Sequence, residues 1–237
     1  MRKLLLPVIG VAAIVAALVT PSLAQTGTAP TTVTVKAKVS PSRAGTKAKP
    51  AAVKLQVHVE WQTPGDDEKP VIQSADALFP KGSLYNGAKY PSCTQNTLSR
   101  KGLQGCPKGS IMGTGKAVAY ADTVLTYPKI TVVNGGKSKV YLYTVMNNPA
   151  RVQAPVPGTI TKMSGKWAYK LHLVVPQVLQ IVAGIPIALK TFDVTAGGKN
   201  DWLATTSCPS DKKWPFSVET FYSTGGSGTF QDSVACH

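Results

Sequence analysis

The chain is 237 residues long and carries 26 Lys and Arg against 11 Asp and Glu, a formal net charge of +15 at pH 7. That length holds one large or two small domains, and no stretch in its middle is long enough to act as a linker. A balance this basic excludes acidic surfaces as the main working feature and directs attention to anionic partners.

Arg2 and Lys3 open the chain, Leu4 to Val19 form a mostly apolar run without a charge, and Thr20-Pro21-Ser22-Leu23-Ala24 follow with a helix breaker and small residues. That is the pattern of a secretory signal peptide over residues 1–24, cleaved after Ala24. The run is shorter than the roughly 20 residues of a spanning helix, which makes an uncleaved anchor the lesser reading. Cleavage would remove Arg2 and Lys3 and leave a strongly basic mature chain. No Cys follows the run to take a lipid, and Cys236-His237 carry neither an apolar tail nor a sorting signal. The expectation is a secreted protein, extracellular or loosely cell-wall-associated, with no transmembrane segment after cleavage.

Residues 25–50 read as a basic N-terminal segment that is partly strand, and residues 51–237 as a β domain. Thr32 to Ser40 sets Val33, Val35 and Val39 against Lys36 and Lys38; from Ala52 to Trp61, Val53, Leu55, Val57, Val59 and Trp61 share one face, and Lys54, Gln56, His58 and Glu60 the other. Asp66-Asp67-Glu68, between Pro64-Gly65 and Lys69-Pro70, reads as a loop without the spaced carboxylates of a calcium site. Thr94 to Leu103 is the one helical segment, capped by Thr94 and stopped by Gly102 and Gly105. Strands follow near Ile111–Ala121, Ile130–Val133, Val140–Met146, Gly158–Met163, Trp167–Val175, Ile187–Thr195, Trp202–Thr206, Phe216–Tyr222 and Gly228–Val234. Asn134-Gly135-Gly136-Lys137-Ser138, Ser164-Gly165 and Thr224-Gly225-Gly226-Ser227 serve as turns. Many short strands with frequent turns indicate a sandwich or barrel; loop irregularity favours an immunoglobulin-like antiparallel β-sandwich with one short helix.

Four cysteines, at 93, 106, 208 and 236, suit an oxidising compartment. Of three connectivities, Cys93 with Cys106 and Cys208 with Cys236 joins neighbours in sequence, each bridge worth about 2–4 kcal/mol. Neither pair has the spacing of a zinc site.

Several short sequences together resemble a group of uncharacterised secreted actinobacterial proteins. They are Ser40-Pro41-Ser42-Arg43-Ala44-Gly45-Thr46, Leu78-Phe79-Pro80-Lys81-Gly82, Pro91-Ser92-Cys93, Cys106-Pro107-Lys108-Gly109-Ser110 with Gly113-Thr114-Gly115, and Thr206-Ser207-Cys208-Pro209 with Lys213-Trp214-Pro215-Phe216. The resemblance spans nearly the whole mature chain and implies a β-sandwich exoprotein with two local disulfides. It implies no catalytic residue.

Enzyme motifs are missing. His58 and His172 fall on polar strand faces as solvated side chains, His237 ends the sequence, and no G-x-S-x-G elbow appears. Metal and phosphate-cradling motifs are missing too, so no cofactor is expected. The basic surface remains. Lys36, Lys38, Arg43, Lys47, Lys49 and Lys54 crowd one segment without an acidic residue among them, and Lys162, Lys166, Lys170 and His172 would line the even-numbered face of one hairpin. Both sets are anion-binding candidates; the bland alternative is solubility and protection of strand edges. Tyr141 and Tyr143 form either a sugar-stacking platform or a second core face, core being favoured. Trp214 and Phe216 read as an apolar plug by the second disulfide. The leading function is non-catalytic binding to an anionic cell-wall polymer or an envelope protein, without specific nucleic-acid recognition. A structural or adhesive exoprotein and a hydrolase with an unrecognised carboxylate pair are the alternatives.

Overall fold

In the computed structural model, residues 31–64 and 69–237 are described; the proposed signal peptide and the Asp66-Asp67-Glu68 loop lie outside them. The strands are β1 (Thr32–Ser40), β2 (Ala51–Ala52), β3 (Lys54–Gln62), β4 (Ile72–Pro80), β5 (Ser83–Tyr85), β6 (Ile111–Ala121), β7 (Val124–Thr126), β8 (Lys129–Asn134), β9 (Lys139–Met146) and β10 (Val152–Lys162). They continue with β11 (Trp167–Val174), β12 (Ile181–Val182), β13 (Ile185–Gly197), β14 (Leu203–Thr205), β15 (Lys213–Tyr222) and β16 (Ser227–Ala235). Helix α1 spans Gln95–Lys101, and α2 is a single turn, Gln177–Gln180.

Eleven strands form one continuous antiparallel path, β1-β3-β13-β6-β8-β9-β10-β11-β4-β15-β16, with β7 and β12 attached at the side. An all-β antiparallel fold is therefore what the alternating sequence builds. An immunoglobulin-like sandwich would divide the ladder into two sheets, whereas here a single path bends until its outer strands meet. Val33 and Val35 of β1 and Val59 of β3 pack in one apolar cluster with Phe216, Val218 and Phe230 of β15 and β16. An odd number of antiparallel strands leaves the first and last running the same way, so any bond between them must be of the parallel kind. Just past the ends of these two strands the chain makes bonds of that kind: Ala44 N donates to His237 O (2.8 Å) and His237 N to Ser42 O (2.9 Å). β1 pairs with β3 from Thr32↔Gln62 to Ser40↔Lys54, so residues 32–40 belong to the same sheet as the rest.

Alternation sorts the side chains. Met112, Val132, Val140 and Ala196 point inward with Leu142, Ile160, Leu171 and Val194. The outer face of β8 and β9 is covered as well: Val133, Tyr141 and Tyr143 lie under Leu98 of α1 and Cys93. The two tyrosines are thus a second core face. Helix α1 forms where Thr94 predicts it, the Thr94 hydroxyl accepting from Thr97 N at 3.1 Å. Both disulfides have the expected pairing, Cys93–Cys106 behind α1 and Cys208–Cys236 beside the buried Trp214.

A second sheet, β2-β14-β5, is tied to the first by Asn134, which has no exposed surface. Its Nδ2 shares two protons among the carbonyls of Gly87 (2.9 Å), Pro91 (3.0 Å) and Tyr90 (3.2 Å). Its Oδ1 accepts from Trp202 Nε1 (3.1 Å) and Gly136 N (3.2 Å), with the Tyr85 hydroxyl 3.0 Å away. Burial pushes the Tyr85 pKa up, keeping that hydroxyl protonated as a donor. Sequence reading treats Asn134 as the start of a tight turn; the turn is there, but the side chain is an internal knot. Beside it, Asp201 accepts from Lys89 Nζ (2.7 Å) and from the Tyr90 hydroxyl. These two donors hold its carboxyl below the usual aspartate pKa, and the same contact raises that of Tyr90.

Two outcomes test these ties. Asn134→Ala removes the side-chain partner of three carbonyls and two donors around a fully buried position, so we expect a loss of about 3 kcal/mol in urea unfolding with an unchanged slope. A depressed carboxylate pKa contributes stability above the unfolded-state value of 3.8, and that contribution is lost as pH falls through the lower folded value. Asp201→Asn should therefore lower the melting temperature at neutral pH, and the difference from the parent should vanish on acidification.

Candidate functional site

The strand registers bring the basic residues of β1 and β3 into rows on the outer face. Direct cross-strand partners point to the same side. One row runs Lys36–His58–Asp193–Lys116–Lys129 across β1, β3, β13, β6 and β8. The neighbouring row runs Lys38–Gln56–Thr195–Thr114–Thr131, and Lys54 pairs with Ser40 and Gly197 in the next. At about 4.8 Å per strand, the first row extends about 19 Å from β1 to β8. An open groove of about 620 Å³ follows it, lined by Lys36, Lys38, His58, Lys116, Asp193 and Thr195 among others.

Within the groove, His58 Nδ1 lies 2.8 Å from Asp193 Oδ1, which leaves Nε2 available to a ligand. Among the described residues no carboxylate is within ion-pair distance of Lys36, Lys38, Lys116 or Lys129. Four ammonium groups without an ion pair share this outer face with two carboxylates, Asp193 opposite Lys116 and Glu60 one row from Lys36. The arrangement spreads positive charge along an open outer surface. The hydroxyls lining the groove belong to Thr114 and Thr195. No group of three His, Cys, Asp or Glu side chains suited to a metal occurs among the described residues.

The remaining candidates fall elsewhere. Arg43, Lys47 and Lys49 are exposed on the loop that follows β1. The second set does not share a face. β10 and β11 pair Thr161 with Lys170 and Lys162 with Tyr169, so an even-numbered residue always meets an odd-numbered one, and Lys162 points away from Lys170. Lys166 sits in the turn over the Trp167 ring, 4.8 Å from its centre. Lys170 is consumed by Asp76, at 2.6 Å, and His172 Nδ1 binds the same carboxylate at 2.7 Å. Both strand histidines are therefore half-exposed and paired with aspartate rather than simply solvated. Lys116 and Lys129 went unremarked in the sequence; each occupies an exposed strand position, but only the register shows which row it joins.

No protein-family model matches the chain, and no curated protein matches it in sequence.

The two His–Asp pairs differ in burial, which sets their energetic weight. Asp193 is 39% exposed and Asp76 only 13%. Asp193→Asn should cost less than about 1 kcal/mol, as exposed pairs do, and Asp76→Asn distinctly more, because it abandons two charge-assisted bonds, one at each oxygen of a shielded carboxylate. Parallel denaturation curves of the two variants check the order.

Proposed function

We propose that the chain is a secreted, non-catalytic binding module that holds an anionic polymer of the cell envelope on the outer face of β1, β3, β13, β6 and β8. The observation that carries this reading is the run of unpartnered ammonium groups along one open groove. Structural lysines on a strand surface usually find a carboxylate across the ladder, as Lys170 does with Asp76. Lys36, Lys38, Lys116 and Lys129 make no such ion pair; Lys116 and Lys129 are direct cross-strand neighbours, and Lys36 and Lys38 lie two residues apart on one strand face.

Two disulfides suit an oxidising compartment, and among the described residues no helix is long and apolar enough to cross a membrane. With the leader pattern of residues 1–24 they support export. Outside the cell, the anions presented as long chains are phosphate-bearing and acidic-sugar wall polymers, whose repeated charges match a row better than a single small anion does. Rigid strands fix the spacing of the lysine backbone positions, so no backbone of this sheet need be ordered on binding.

The oxidised protein should be retained on purified cell-wall fractions at low salt and released as ionic strength passes that at which exposed charges are screened, about 0.15 M. Lys36→Glu with Lys38→Glu should shift release to lower salt. Absence of retention at low salt would refute the assignment.

A further inference from the structure

We infer that the chain is a tandem repeat of two five-stranded units that exchange their third strands, and that the anion-binding row belongs to one half only, the equivalent row of the other being its non-binding counterpart. The second part of this inference rests on the function proposed above.

The repeat is written in the strand order. In sequence the first unit is β1, β3, β4, β6, β8 and the second is β10, β11, β13, β15, β16, with β9 joining them. In the sheet, one half reads β1-β3-β13-β6-β8 and the other β10-β11-β4-β15-β16. Every strand has its counterpart in the same place, except that β4 and β13 have changed sides. The short strands that follow them, β5 and β14, pair with each other, Leu84 opposite Ala204, as two equivalent segments meeting at a two-fold axis would.

Side chains obey the same correspondence. His58 of β3 meets Asp193 of β13 at 2.8 Å, and His172 of β11 meets Asp76 of β4 at 2.7 Å, so each half supplies the histidine for the other's aspartate. Valines 57 and 59 flank the first histidine, leucines 171 and 173 the second. The strand after each crossing is preceded by Cys-Pro, at Cys106-Pro107 before β6 and Cys208-Pro209 before β15.

Superposing the rows through their His–Asp pairs shows what has changed. Lys36–His58–Asp193–Lys116–Lys129 corresponds to Thr159–His172–Asp76–Glu219–Thr229. The same architecture therefore accepts Thr, Glu and Thr where the first half carries three lysines. Neither the register nor the His–Asp pair requires Lys36, Lys116 or Lys129. The lysine that the second half does carry, Lys170, is held by Asp76, and the residue equivalent to it in the first half is Gln56. The second half has thus spent its cation internally, while the first displays its own outward. Lys36, Lys116 and Lys129 thus stand at positions where the equivalent half folds without a cation.

A reciprocal exchange of rows tests this, with inorganic polyphosphate of defined length as probe and calorimetric titration as readout. Lys36→Thr, Lys116→Glu and Lys129→Thr together should weaken binding by about tenfold or more. Thr159→Lys, Glu219→Lys and Thr229→Lys together should create a second site and double the number of polyphosphate chains bound per protein. Near-ultraviolet circular dichroism verifies folding; should the first triple variant be unfolded, Lys36→Thr with Lys129→Thr replaces it. If the parent binds but removing the row changes nothing, or if the grafted row adds no site, the assignment to one half is overturned while the binding function stands. If the parent does not bind polyphosphate or wall polymer at low salt, the function and this assignment fall together.

Discussion

Two strands leave their neighbours in sequence to complete the far side of the sheet, and the rest of the molecule is arranged around that crossing. β4 must pass from β3 to lie between β11 and β15, and β13 must pass from β11 to lie between β3 and β6. Neither half can complete its ladder alone, because the third place in each is filled by the other's strand. Central places matter most: a missing strand there would leave two rows of backbone N–H and C=O groups without partners. The exchange also makes the contacts long-range, so the sheet forms as one cooperative unit.

Where the crossing strands return, the structure is fastened by polar groups rather than by apolar area alone. β5 and β14 pair with each other, and Asn134 gathers the carbonyls of Gly87, Tyr90 and Pro91 with the donors of Trp202 and Gly136. A buried amide satisfied on both ends specifies one arrangement, since any slip would leave several groups unpaired in a medium that does not solvate them. Helix α1 and the Cys93–Cys106 bridge then cover the outer face of β8 and β9, with Cys93 N bonded to Asn134 O at 2.9 Å. The lysine row runs along the uncovered part of that face, from β1 to Lys129 at the start of β8. Core, knot and disulfide supply the stability, which leaves the exposed strand positions free to carry charge that contributes little to folding.

Much of the fold was legible from periodicity. β1, β3, β6, β11, β15 and β16 show the alternation of strands with one dry face, β8 and β9 are apolar on both, and the three turns carry glycines at positive φ: Gly136 at 99°, Gly165 at 77°, Gly225 at 86° and Gly226 at 80°. β4 escaped notice because Gln73-Ser74-Ala75-Asp76-Ala77 presents only alanines inward and an aspartate outward, a weak β signal. The crossing strand was therefore the one least visible. Lys162 and Lys170 were assigned to one face because parity within a strand was carried across a hairpin, and parity does not survive an odd register.

Local chemistry settled what depends on neighbours in the chain. The sequence by itself determined the leader pattern, the basic balance, the disulfide partners, the cap of α1 and the inward and outward faces of most strands, because each follows from spacing along one segment. Tertiary structure alone decided which strands lie side by side. It thereby decided that His58 meets Asp193, that Lys36 lines up with Lys116 and Lys129, and that the two halves repeat each other with two strands exchanged. The physical reason is that cross-strand neighbours are chosen by the burial of the whole sheet and the hydrogen bonding of every edge. A row of charges across five strands has no counterpart in any contiguous stretch of sequence.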